Sequence, residues 1–130
     1  MKSTLLTRPI LLCLVAGAAL VAIPATFAKD GDVLVQGTCT GPSSSKLKLS
    51  EEDGRIEVEF EVDQNRNGIR WTVTLRRPTA LLVRTTRVTR GPSGSFELRR
   101  VVGNRAGPDR INARAMRASG EVCRASATFG

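Results

Sequence analysis

The chain has 130 residues, a formal net charge of +8 and neither His nor Tyr. That length supports a single domain with one modest core. Without His, the base of Ser-His-Asp catalysis is missing, and so is a common nitrogen ligand for zinc.

Residues 1–28 carry the pattern of a secretory signal peptide. Lys2 and Arg8 make a basic start, Ile10 to Ile23 is an apolar run, Pro24 ends it, and Thr26-Phe27-Ala28 offers small residues at the cleavage positions. The run has 14 residues, short of the roughly 20 a bilayer-spanning helix needs. Residues 29–130 remain as one β-sandwich domain, with no membrane span expected after signal removal. Cys13 leaves with the signal. Cys39 and Cys123 form an even pair in an exported chain, which predicts one disulfide.

Asp32 to Thr40 reads as a first strand, with Val33, Val35 and Cys39 on one side. Ser45 to Ser50 is a second, with Leu47 and Leu49 inward. Asp53-Gly54 is a hairpin signal, and the third strand, Arg55 to Asp63, alternates Val58, Phe60 and Val62 with Glu57, Glu59 and Glu61. This turn sets Leu49 opposite Val58 and Leu47 opposite Phe60, and on the wet side Lys48 opposite Glu59 and Lys46 opposite Glu61. Residues 69–77 follow the Asn67-Gly68 turn signal with Trp71, Val73 and Leu75 inward. A tight hairpin there would pair residues 55–63 with 69–77, whereas a crossing would send the second strand to the other sheet. The crossing is preferred.

Ala80 to Arg90 is a strand of mixed pattern whose faces stay open. Ser95 to Val102 turns Phe96 and Leu98 inward. Asp109 to Arg117 alternates Ile111, Ala113 and Ala115 with Arg110, Asn112, Arg114 and Met116, and Glu121 to Phe129 turns Cys123, Ala125 and Ala127 inward. A three-residue loop sets Ala115 opposite Cys123, Ala113 opposite Ala125 and Arg114 opposite Arg124. Short strands, frequent turns and no 3.6-residue period predict an all-β, antiparallel β-sandwich of about seven to eight strands with one disulfide.

Trp71 early in its strand, followed by Val73 and Leu75, resembles the core Trp of immunoglobulin-like sandwiches. Asp109-Arg110-Ile111 resembles the corner that opens their penultimate strand, without its Tyr. The Cys pair departs from that pattern by joining first and last strands. More narrowly, GRIEVEFEVDQNRNGIRW, GSFELRRVVGNRAGPD and ASGEVCRASA resemble small secreted proteins of actinobacteria. The resemblance implies an immunoglobulin-like fold and brings no catalytic residue with it.

Chemistry is sparse. Glu57, Glu59, Glu61 and Asp63 share one strand face where water should keep carboxylates ordinary. Asp63-Gln64-Asn65-Arg66-Asn67-Gly68 matches the start of a calcium loop, but Thr74 stands where its bidentate acid belongs. The stretch reads as a turn, and no metal or cofactor is expected. Stacking rings beside the basic residues are absent, so no specific nucleic-acid recognition is expected. Charge is uneven, however. Residues 29–69 hold five Lys/Arg and nine Asp/Glu, while residues 70–130 hold thirteen Arg and three acids.

The sandwich reading puts Arg70, Arg76, Arg110, Arg114 and Arg124 on the outer face of one sheet, a candidate anion-binding surface. The other sheet shows a balanced mixture. Two functions are consistent with this. One is a secreted structural or interaction module with no marked small-molecule site. The other is an electrostatic binding module for an anionic envelope polymer, a lipid surface or an acidic protein. Arginines scattered over several faces would exclude the second. Neither reading is enzymatic.

Overall fold

The computed structural model describes residues 31–130. The expected signal segment and Cys13 lie outside the described residues. The described chain is all β, in the order β1 (Val33–Gln36), β2 (Thr38–Cys39), β3 (Ser44–Glu52), β4 (Arg55–Asp63), β5 (Arg70–Arg77), β6 (Ala80–Val88), β7 (Ser95–Gly103), β8 (Asp109–Arg117) and β9 (Val122–Phe129). They form two antiparallel sheets, β1-β3-β4-β7 and β2-β9-β8-β5-β6.

The inward faces follow the alternation. Leu47, Leu49, Val58, Phe60 and Val62 from one sheet and Trp71, Val73, Leu75, Ile111 and Ala115 from the other are fully buried. Each fully buried large apolar side chain contributes about 1.5–3 kcal/mol relative to exposure, so this shared core decides which way every strand faces. The β3–β4 register is the expected one, with Leu49 opposite Val58 and Lys48 opposite Glu59. So is the β8–β9 register, with Ala115 opposite Cys123 and Arg114 opposite Arg124.

The loop after β4 crosses between sheets, because β4 pairs with β3 and β7 while β5 pairs with β6 and β8. Polar contacts fix the crossing. Trp71 Nε1–H donates to Gln64 Oε1 at 3.0 Å, and Gln64 is itself buried. Thr89 Oγ1 accepts from Ile69 N–H at 3.0 Å and donates to Arg66 O at 2.5 Å. Asp63 Oδ1 accepts from Asn65 N–H at 3.0 Å, closing an Asx turn where the calcium-like sequence lies.

The expected first strand is two strands, which makes the total nine. The chain leaves one sheet for the other at Gly37, between β1 and β2. Gly37 N–H donates to Ser45 O at 2.8 Å. A Cβ on Gly37 would lie 2.2 Å from Ser45 Oγ and 2.5 Å from Arg124 O, and the backbone oxygen has little room to retreat. Gly37→Ala should therefore lower stability by about 1–3 kcal/mol, the usual cost of overpacking, read as a fall in denaturation midpoint.

Cys39 and Cys123 are directly opposed on β2 and β9 and form the disulfide, with a Cα–Cα distance of 4.0 Å. It ties the short edge strand to the last strand. On the far edge, β6 follows β5 with a register shift at Leu75/Arg76 that displaces Leu82 from the pairing.

Candidate functional site

The two outer faces differ in how their charges are matched. On the four-stranded sheet, Lys46 pairs with Glu61 at 3.2 Å, Lys48 with Glu59 at 3.5 Å and with Asp32 at 3.6 Å, and Arg99 with Glu57 and Glu59. The carboxylates there are not all ordinary, contrary to the expectation from sequence. Glu57 is buried beneath Arg99, whose hydrogen bond holds its carboxyl below the usual range. Burial, together with the neighbouring Glu57, pushes Glu59 up. Lys48 is raised because Glu59 and Asp32 outweigh its partial burial.

The five-stranded sheet has no such matching. Its backbone register converts sequence positions into rows of side chains that run across the strands. Thr38 faces Arg124, Arg124 faces Arg114, Arg114 faces Thr74, and Thr74 faces Arg84, all in one row. Two residues along, Ser126 faces Asn112, Asn112 faces Arg76, and Arg76 faces Leu81. Arg110 faces Thr128 one row further. No Asp or Glu occupies these rows. Of the two acids in β8, β9 and their turn, Asp109 points inward to Arg77 and Glu121 is buried against Arg117 and Ser43.

Arg76, Arg114 and Arg124, three of the five expected residues, line one trench of about 480 Å³. Arg110 joins it indirectly, since its Nε–H donates to Ser126 Oγ at 3.0 Å and to Asn112 Oδ1 at 3.4 Å. Arg70 shares the face but stands apart. It faces Val88 at the far end of β5, beyond the row that holds Thr72 and Met116. Sequence reasoning missed Arg84, because the alternation of β6 is broken by the register shift. It also missed Asn112 and Ser126, polar residues at the same outward parity as Arg110 and Arg124.

Among the described residues, Arg76, Arg84 and Arg124 make no ion pair. Arg114 makes no ion pair either, and its side chain's one hydrogen bond among the described residues goes to Met116 Sδ, at 3.5 Å. Like charges directly opposed across strands, such as Arg114 and Arg124, destabilise a sheet by a few tenths of a kcal/mol up to about 1 kcal/mol. The trench floor lies where Ala113 and Ala125 sit between the two rows.

The described residues contain no cluster of three His, Cys, Asp or Glu side chains that could hold a metal, and no helix long and apolar enough to cross a membrane. Neither protein-family models, nor curated proteins, nor solved structures give a match to this chain.

Proposed function

We propose that this protein is an exported, non-catalytic interaction module that docks on an anionic partner through the outer face of its five-stranded sheet. The observation that carries this reading is the concentration of Arg70, Arg76, Arg84, Arg110, Arg114 and Arg124 on one acid-free face. A scaffold without a marked surface would have no reason to gather them. It would balance its charges, as the opposite sheet does. Planar guanidinium forks are suited to two-oxygen groups such as carboxylate and phosphate.

Export is supported by the signal-like N-terminus and by the Cys39–Cys123 disulfide, a bond of oxidising compartments. The two antiparallel sheets around a core Trp support an immunoglobulin-like reading of the fold, and the proposed kinship with small secreted actinobacterial proteins rests on GRIEVEFEVDQNRNGIRW, GSFELRRVVGNRAGPD and ASGEVCRASA. The strand order supports that reading, since β3-β4-β7 and β9-β8-β5-β6 keep the β3–β4 and β5–β6 hairpins each within one sheet and send the connection between them across, with β1 and β2 added at the edges. The non-catalytic part of the reading rests on the lack of His and on Glu57 and Glu59 being engaged by Arg99 and Lys48.

The test is retention on a sulfated-dextran resin across a salt gradient. Retention should weaken with rising salt. Arg114→Glu with Arg124→Glu should lower affinity about tenfold or more, from the loss of charge-assisted hydrogen bonds. Arg66→Glu with Arg90→Glu makes the same charge change at exposed loop positions and should have a much smaller effect. Equal losses from the two pairs would reduce the face to net charge alone.

A further inference from the structure

We infer that the trench is a binding subsite for a linear polyol phosphodiester chain lying across the strands. In this arrangement Arg114 and Arg124 clamp one phosphate, and Arg76 meets the next. The inference rests on the anion-binding reading above and gives it a ligand class.

Dimensions come first. The trench crosses β2, β9, β8 and β5, three inter-strand steps of about 4.8 Å each. Its walls are side chains two residues apart on each strand, a separation of about 6.7 Å. One extended chain fits that width. A helix, about 10–12 Å across, does not.

The floor offers no hydrogen bonds to a ligand. Ala113 and Ala125 lie within the β5–β8 and β8–β9 ladders, so their main-chain groups are directed at neighbouring strands. A peptide cannot add to the sheet there. Recognition must come from the walls, and the walls are rich in donors. Asn112 Oδ1 already accepts from Ser126 Oγ–H at 2.6 Å and from Arg110 Nε–H. That orients the Asn112 amide N–H groups as the outward donors beside the three guanidinium forks. Against such walls a peptide would present its own N–H groups to more donors. A polyol phosphate presents phosphate, ester and hydroxyl oxygens, all of which accept.

Spacing agrees. Arg76 is one strand and one row away from Arg114, a diagonal of about 8 Å from the strand and residue spacings. Successive phosphates on a three-carbon polyol are separated by six bonds, which span about 7 Å when extended. The face also lacks an aromatic platform, so sugar-ring stacking and base stacking contribute nothing.

The experiment is calorimetric titration of the oxidised protein with synthetic poly(glycerol phosphate), and in parallel with inorganic polyphosphate, poly-L-glutamate and polygalacturonate. Poly(glycerol phosphate) should bind tightest. Ser126→Phe fills the trench without changing charge and should weaken that binding about tenfold, the equivalent of one lost charge-assisted contact. Thr74→Phe blocks it from the other wall and serves if the first variant fails to fold. Binding left intact by a folded plug variant overturns the inference, as does equal or tighter binding of any of the three comparison polymers. If the plug is silent while Arg114→Glu with Arg124→Glu abolishes retention, the trench is wrong and the anion-binding face stands. If neither matters, both fall.

Discussion

Asp109→Ala should lower the unfolding free energy by about 3–5 kcal/mol, the usual result of removing one partner of a buried ion pair. Asp109 opens β8 and Arg77 closes β5, both with side chains turned into the body and almost fully buried. The Arg77 fork donates from Nε to Oδ1 and from Nη2 to Oδ2, each at 2.8 Å. Nη2 also meets Gly103 O at the end of β7, and Arg105 N–H donates to Oδ2 at 3.2 Å. The Arg77–Asp109 pair thus ties together β5, β7 and the loop into β8. Loss of the carboxylate strands a guanidinium in a place water scarcely reaches. Arg77→Met with Asp109→Leu, which removes both charges, should cost much less than the single change. Chemical denaturation of the three proteins tests the comparison, and equal losses would contradict it.

The pH dependence has a definite sign. The Arg77 hydrogen bonds hold the Asp109 carboxyl below the usual carboxylate range, against the pull of burial, with Arg105 N–H adding to the effect. Glu121 is lowered too, because the Ser43 and Arg117 hydrogen bonds overcome its burial. A depressed folded-state value means the stabilisation is complete above the unfolded carboxylate range, about 4, and is lost as pH falls through the folded value. The melting temperature should decline below about pH 4, and Asp109→Asn should decline less steeply.

Reduction of Cys39–Cys123 is the second large effect. The two residues are 84 apart in sequence, and a crosslink over such a loop contributes about 4 kcal/mol in the chain-entropy account. For a domain of this size that corresponds to a melting-temperature drop on the order of 15–30 °C. The double variant Cys39→Ser with Cys123→Ser should melt with the reduced protein. A change of only a few degrees would show that the sheets hold the ends without the sulfur bridge.

Much of the architecture was legible because period-two alternation and the turn residues agree. Asp53-Gly54 and Ser119-Gly120 fixed two hairpin registers, and the side-chain pairs followed from them. The crossing after β4 is less visible in sequence, since the Asn67-Gly68 signal suits a hairpin equally well. The buried Gln64–Trp71 hydrogen bond that holds the crossing joins residues whose meeting no local pattern announces.

The buried pairing of Arg77 with Asp109 was hidden for a different reason. Each has inward parity on its strand, Arg77 with Leu75 and Asp109 with Ile111, and an inward charge at a strand end is the available signal. On the basic face, the Arg114–Arg124 opposition could be read from the β8–β9 turn. Arg84 could not, because the displacement of Leu82 breaks the parity that would have placed it.

That same displacement bears on how copies of the protein behave at high concentration. β6 has a hydrogen-bonded neighbour on one side only, and a nine-residue free edge is a template on which another molecule can grow a continuous sheet. The irregularity beside Leu82 spoils the flatness such growth requires, and Arg84 and Arg87 set cations along the open margin. Two β6 margins brought together would repel, so fibrillar stacking is resisted at one of the two nine-residue edge strands, the other being β7.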